Sequence, residues 1–190
     1  MLLTSKQKEI LLGLARKTLE VYFKDQKKHA INKSKIDQML LKPVATFVTL
    51  TTDGKLRGCV GELEARRPLY QSVIDNTLSA AFDDNRFLPL NETELPIVNI
   101  EISMLGKSTR YRRSDTSEGL LDQIIPNNHG VILESGSGKA TFLPQVWGEV
   151  PDKITFLESL SRKAGLPPDA WKDKNTTLSY YTVEHFSENR

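Results

Sequence analysis

Cysteine is nearly absent: Cys59 is the only one in 190 residues. No internal disulfide can form, which suits a reducing compartment and leads us to expect a cytoplasmic chain. No stretch approaches the ~18 uninterrupted apolar residues of a membrane-spanning helix, so no membrane association is expected. The start, Met1-Leu2-Leu3-Thr4-Ser5-Lys6, reaches charge too early for a secretory apolar region. Aromatic residues are few, at 7%, yet 38% hydrophobic and 26% charged content is ordinary for a globular chain. Disordered, collagenous and disulfide-scaffold classes are thereby excluded. Repeats, low-complexity tracts and long Pro/Gly/Ser linkers are also missing, so residues 1–190 read as one domain. His29, His129 and His185 lie too far apart for a zinc pattern. The residues name neither a metal nor a cofactor.

What is present starts with a charge asymmetry inside a net charge of +2: residues 1–43 carry +6 and the remainder −4. The excess lies mostly at Lys24, Lys27, Lys28, Lys33, Lys35 and Lys42. Such a field can draw an anionic partner, although a solvated helix end and loop produces the same pattern. Arg110-Tyr111-Arg112-Arg113 interleaves cations with an aromatic ring, as nucleic-acid surfaces do. Without a broader basic face it reads as a solvent-facing loop, and nucleic acid is not an expected partner. Ser135-Gly136-Ser137-Gly138-Lys139 lacks the glycine, the Ser/Thr and the following helix of a phosphate loop, and reads as a hairpin turn.

Hydrophobic spacing sets the elements. Thr4 and Gln7 form a capping box ahead of Ile10, Leu11, Leu14, Ala15, Thr18, Val21 and Tyr22, which predicts an amphipathic helix to about Phe23. A polar connection follows over 24–42, with a short turn near Ile36–Leu40. Val44–Thr51 and Leu56–Leu63 flank Asp53-Gly54 and predict a β-hairpin. Pro68 then opens a largely buried helix over Leu69–Phe82. Asn91 and Glu94 start a turn, and Val98, Ile100, Ile102 and Met104 share one face of a strand. Helix Glu118–Ile125, strands Gly130–Leu133 and Ala140–Leu143, and helix Pro151–Ala164 capped by Gly165 come next. A short helix through Trp171 and one strand over Leu178–Phe186 close the chain. This order predicts an α+β fold with a mostly antiparallel sheet flanked by helices.

The most informative segment is Leu56-Arg57-Gly58-Cys59-Val60-Gly61. As a regular strand it places Arg57, Cys59 and Gly61 on one face, where a guanidinium would favour the thiolate. Its glycines mark a bulge or a close backbone approach, and a bulge at Gly58 would separate Arg57 from Cys59. The alternative is a buried cysteine acting as a small hydrophobe. Asp83 and Asp84 oppose the dipole of the preceding helix, so they need an offset, either Arg86 or a functional demand. His129 is the best histidine candidate for a general base or thiol partner, although a lone histidine is more often a satisfied structural residue.

The hexapeptide resembles the hallmark of the AMMECR family. Further blocks agree: Phe47-Val48-Thr49-Leu50, Asn76–Ala81, Asp84-Asn85-Arg86-Phe87, Glu101-Ile102-Ser103-Met104-Leu105, Phe142-Leu143-Pro144-Gln145-Val146 and Lys163-Ala164-Gly165-Leu166. The resemblance covers nearly the whole chain. Asn85 departs from a usual proline, Thr77 from an alanine, and Ser161 from a position often held by cysteine. Trp147-Gly148-Glu149 stands where the family has a glutamate-rich segment. The resemblance implies a two-lobed α+β fold with the hexapeptide at a cleft shared by a larger and a smaller lobe. It also implies association with Memo-like and radical-SAM proteins in an AmmeMemoRadiSam system, and no established biochemical activity. The site it carries over is Arg57, Gly58, Cys59, Gly61, Asp84 and Arg86, with Gln145 further out.

Two functions are therefore expected in competition. In an enzyme or enzyme component, Arg57 holds a small anionic ligand, with Gly58, Gly61, Arg86 and Gln145 lining its site. There Cys59 is nucleophile or redox centre, and Asp84 or His129 moves protons. In a non-catalytic binding or adaptor module, the same groove docks a ligand or partner protein and Cys59 only packs.

Overall fold

In the computed structural model, residues 2–32, 34, 36–112, 117–136 and 138–188 are described, with Ser117 and Glu118 by backbone alone. Lys33, Lys35, Arg113 and Ser137, which figured in the charge and turn arguments, lie outside them. The chain divides into two compact units, Met1–Leu105 with Glu184–Arg190, and Gly106–Val183.

The first unit begins with helix α1, Ser5–Asp25. Its Thr4 and Gln7 close the expected capping box, and its buried face includes Leu11, Ala15 and Leu19. The hairpin follows, with β1 over Thr46–Thr52 and β2 over Lys55–Gly61. Asp53 and Gly54 both take positive φ, 51° and 73°, which matches the twist of a two-residue hairpin loop. Helix α2, Leu69–Phe82, is buried on most faces, as its apolar composition predicts. Strand β3, Asn99–Leu105, pairs with β1, and Val98, Ile100, Ile102 and Met104 are all buried. With the C-terminal strand β8, Val183–Ser187, the first antiparallel sheet has the order β2-β1-β3-β8. One core unites the inner faces of α1 and α2 with Val48, Leu50, Ile100 and Ile102.

The second unit holds β4 (Thr109–Arg110), α3 (Ser117–Gln123), β5 (Gly130–Ser135), β6 (Gly138–Phe142), α4 (Lys153–Lys163) and β7 (Thr177–Tyr181). Its sheet runs β4-β7-β5-β6, and its core gathers Trp147, Phe156, Leu157, Leu160, Val131 and Leu133. Gly165 takes φ +74°, the left-handed position expected after α4. The fold is thus α+β, with two antiparallel four-stranded sheets.

Two expectations need correction. The single strand predicted over Leu178–Phe186 is two strands in different sheets, parted at Thr182. Alternation has the same period on either side of such a break and does not register a change of sheet. Nor is Arg110-Tyr111-Arg112 a wholly solvent-facing loop. Arg110 and Arg112 are exposed, but Tyr111 is buried against His129 and Tyr180. Its ring is unavailable for stacking on a base.

Candidate functional site

The hairpin register carries the central geometry. Next to the turn, Thr52 pairs with Lys55 and Thr51 with Leu56. Beyond a shift at Leu50/Thr51, Leu50 pairs with Gly58, Thr49 with Cys59 and Val48 with Val60. One extra residue, Arg57, is therefore accommodated on β2 as a bulge. Without it, Arg57 would stand opposite Leu50 and Cys59 opposite Val48, both partners being fully buried in the core. A one-residue slip reverses every side chain beyond it. The bulge thus keeps a guanidinium out of the core and moves Cys59 onto the face of Thr49.

Both glycines of the hexapeptide answer to close approaches. A Cβ on Gly58 would lie 2.1 Å from the Ala80 carbonyl oxygen of α2, and one on Gly61 2.3 Å from the Phe47 ring. Arg57 leaves the bulge as a fork. Its Nε and Nη2 donate to Glu94 at 2.6 and 3.0 Å, Nη1 to the Leu88 carbonyl at 2.9 Å, and Nη2 to the Pro89 carbonyl at 3.4 Å. The same pairing holds the Glu94 carboxyl below the usual carboxylate range.

Cys59 is half-buried, and its sulfur lies 3.2 Å from Thr49 Oγ1. On an edge strand its outward backbone groups would otherwise be open. Here the turn after α2 satisfies them. The Cys59 N–H donates to Asp84 Oδ2 at 2.9 Å, and Arg86 Nη2 donates to the Cys59 carbonyl at 3.3 Å. Asp84 also accepts from Arg86 Nε and Nη2 at 2.9 and 2.7 Å and from the Arg86 backbone N–H at 3.2 Å. This is the offset that an aspartate at a helix C-terminus requires, while Asp83 stays exposed to water. Asn85, between Asp84 and Arg86, is exposed.

The Arg86 fork, above all, pushes the Asp84 carboxyl down to about 2 from its ordinary 3.8. A carboxylate so held is ionised at neutral pH and acts as a fixed acceptor. A lowered folded-state value means that the stabilisation is complete above the unfolded pKa and is lost as pH falls toward the folded one. Because Arg86 is half exposed, we expect about 1–2 kcal/mol of stability to vanish between pH ~5 and pH ~2. Urea unfolding of the protein and of Asp84→Asn across that range checks this: the variant should lack that segment of the pH dependence.

Cys59, Asp84 and Arg86 are thus brought together, and Arg57 is tied to Glu94. His129 and Gln145 belong to the second unit. His129 is buried there, stacked on Tyr180, with Nδ1 2.9 Å from the Tyr111 hydroxyl and 3.3 Å from the Ile125 N–H that donates to it. Burial lowers its pKa. Gln145 is exposed on the single turn Pro144–Gly148. Thr49 and the pairing role of Glu94 were missed at the sequence level. Only the register reveals the first, and the second lies 37 residues from its partner. Among the described residues, no group of three or more His, Cys, Asp or Glu could hold a metal ion, and no helix is long and apolar enough to cross a membrane.

Fold and site together define an α+β protein of two antiparallel sheets with a glycine-flanked cysteine on an edge strand. The AMMECR1 family model matches residues 12–186, and the chain belongs to that family. It is similar to protein MK0488 of Methanopyrus kandleri, 34% identical over 98% of this chain and 90% of the relative. Against NEQ441 of Nanoarchaeum equitans the identity is 35%, over 94% and 98% of the two chains. Its fold matches the crystal structure of the uncharacterized protein PH0010 from Pyrococcus horikoshii with a TM-score of 0.92. That match has 32% identity and covers 98% of this chain and 94% of the other.

Proposed function

We propose that this protein is an enzyme, or the thiol-bearing component of one, that reacts through Cys59. The observation that carries the reading is the placement of the Cys59 sulfur beside the Thr49 hydroxyl, on a strand edge where the Cys59 N–H and carbonyl are both held. Gly58 and Gly61 answer to close approaches, Arg57 to Glu94, and Asp84 with Arg86 to the strand edge. The Cys59 side chain stands beside the Thr49 hydroxyl, which donates to its sulfur at 3.2 Å. Its backbone is pinned at both polar atoms and its sulfur is turned off the core face toward a hydroxyl, an arrangement that orients a nucleophile.

Arg57 is spent on Glu94 and two carbonyls, so the anion-holding part passes to Arg86. That side chain is half exposed, and its bonds to Asp84 and to the Cys59 carbonyl run from Nε and Nη2. A small anionic substrate is the class this favours. The partners implied by the family resemblance, Memo-like and radical-SAM proteins, belong to this reading, as does a reducing, cytoplasmic setting. A binding or adaptor module is the second reading, favoured by the fact that Asp84 and Glu94 already neutralise both guanidiniums.

Alkylation separates the two. Iodoacetamide should label Cys59 in the native protein with a midpoint at or below the ~8.5 of a free thiol, and Arg86→Gln should move that midpoint upward. Absence of labelling in the folded protein, or a midpoint indifferent to Arg86→Gln, removes the reacting thiol and leaves the adaptor.

A further inference from the structure

We infer that the Arg57–Glu94 pair is the register lock of the hairpin: it holds the bulge that decides on which face of the sheet Cys59 stands. The inference rests on the thiol reading for its consequence, while its structural content stands alone. It assigns Arg57 to positioning rather than to ligand binding or catalysis.

Two registers are open to the hairpin. The loop at Asp53-Gly54 fixes Thr52 opposite Lys55, and an unbroken ladder from there delivers Cys59 to the core face, opposite Val48. The observed ladder instead delivers it to Thr49. The two ladders part at position 57, the residue that the observed pairing leaves out. A bulge costs local pairing, since the extra residue leaves the ladder. Here the compensation is visible. The guanidinium makes two bonds to one carboxylate and two to consecutive carbonyls of the segment after α2. Planar, bidentate geometry of this kind is specific to arginine, so lysine cannot reproduce it. Glu94 is in turn held by the backbone N–H of Asn91, at 3.0 Å. The carboxylate is thus in place independently of Arg57.

The test uses three variants, Arg57→Met, Arg57→Lys and Glu94→Gln, with two readouts. The first is the cross-strand proton contact between Thr49 and Cys59, measured by nuclear Overhauser effect, which reports the register directly. The second is the iodoacetamide rate at Cys59. Arg57→Met should lose the Thr49–Cys59 contact and at least tenfold in alkylation rate. Arg57→Lys should fall between it and the native protein. Glu94→Gln keeps the acceptor oxygen and should lose only a few-fold. An intact contact and a rate within twofold of native in both Arg57 variants overturns the inference. If Arg57→Met does not fold, Arg57→Lys and Glu94→Gln decide by the same criteria. A native protein that resists alkylation would sink the thiol reading alone, because the Thr49–Cys59 contact still reads the register.

Discussion

Gly58→Ala is expected to destabilise the protein by about 4 kcal/mol, or to prevent folding. The added methyl would stand 2.1 Å from the Ala80 carbonyl oxygen and 3.1 Å from its carbon. These are backbone atoms, so no rotamer change relieves the overlap. Relief requires β2 and α2 to part, yet Ala80 and Ala81 are both almost fully buried and the helix is embedded in the first core. Close packing transmits the displacement instead of absorbing it. The strand cannot answer by slipping a residue, because that would set Arg57 against the buried Leu50. Gly13→Ala is the matched control: its Cβ would meet nothing within 4 Å, and α1 gains from an alanine there. Urea unfolding of the two variants should therefore show midpoints displaced in opposite directions. A Gly58→Ala midpoint within the equivalent of 1 kcal/mol of native would show that the close approach is not a constraint.

The same approach explains what could be read in advance. The α1 capping box, the hairpin at Asp53-Gly54 and the buried even-numbered face of Val98–Met104 all arise from neighbours a few residues apart, and their signals are local. The glycines of the hexapeptide mark a bulge or a close approach; both stand at close approaches, and the bulge falls beside Gly58 rather than on it. Arg57, not Gly58, is the bulged one, because the choice is made by Glu94 and by the carbonyls of Leu88 and Pro89, which no periodicity links to β2. Thr49 beside Cys59 was hidden for the same reason, since its place follows from the register. The division of Leu178–Phe186 between two sheets and the burial of Tyr111 are likewise decided by distant partners. Asp84 shows the intermediate case: its need for an offset was legible from the helix dipole, and Arg86 was an obvious donor. That the carboxylate also secures the Cys59 N–H was not, as it depends on the end of α2 meeting the sheet edge.

Glu188→Ala should cost about 3–5 kcal/mol, for a reason that spans almost the whole chain. Arg16 is a buried cation on α1, 8% exposed. Its Nη1 and Nη2 donate to the carbonyls of Leu95 and Val98 at 2.8 and 2.7 Å, and its Nε and Nη2 to the Glu188 carboxylate. Glu188 further accepts from the Ile100 N–H at 3.2 Å and donates its own N–H to the Ile100 carbonyl at 3.0 Å. One carboxylate thus ties α1, the start of β3 and the segment after β8 together. Removing it leaves a desolvated guanidinium with two carbonyls and no counter-charge, which is the expensive way to break a buried pair. Glu188→Gln preserves the shape and an acceptor and should cost less, about 1–2 kcal/mol. Replacing both partners, in Arg16→Met with Glu188→Leu, should restore much of the loss by removing the unmatched charge as well. Denaturant unfolding of Arg16→Met, of Glu188→Leu and of the double variant gives the coupling energy. Equal losses from Glu188→Ala and Glu188→Gln would mean that charge plays no part, and an additive double variant would mean that the two residues do not act as a pair.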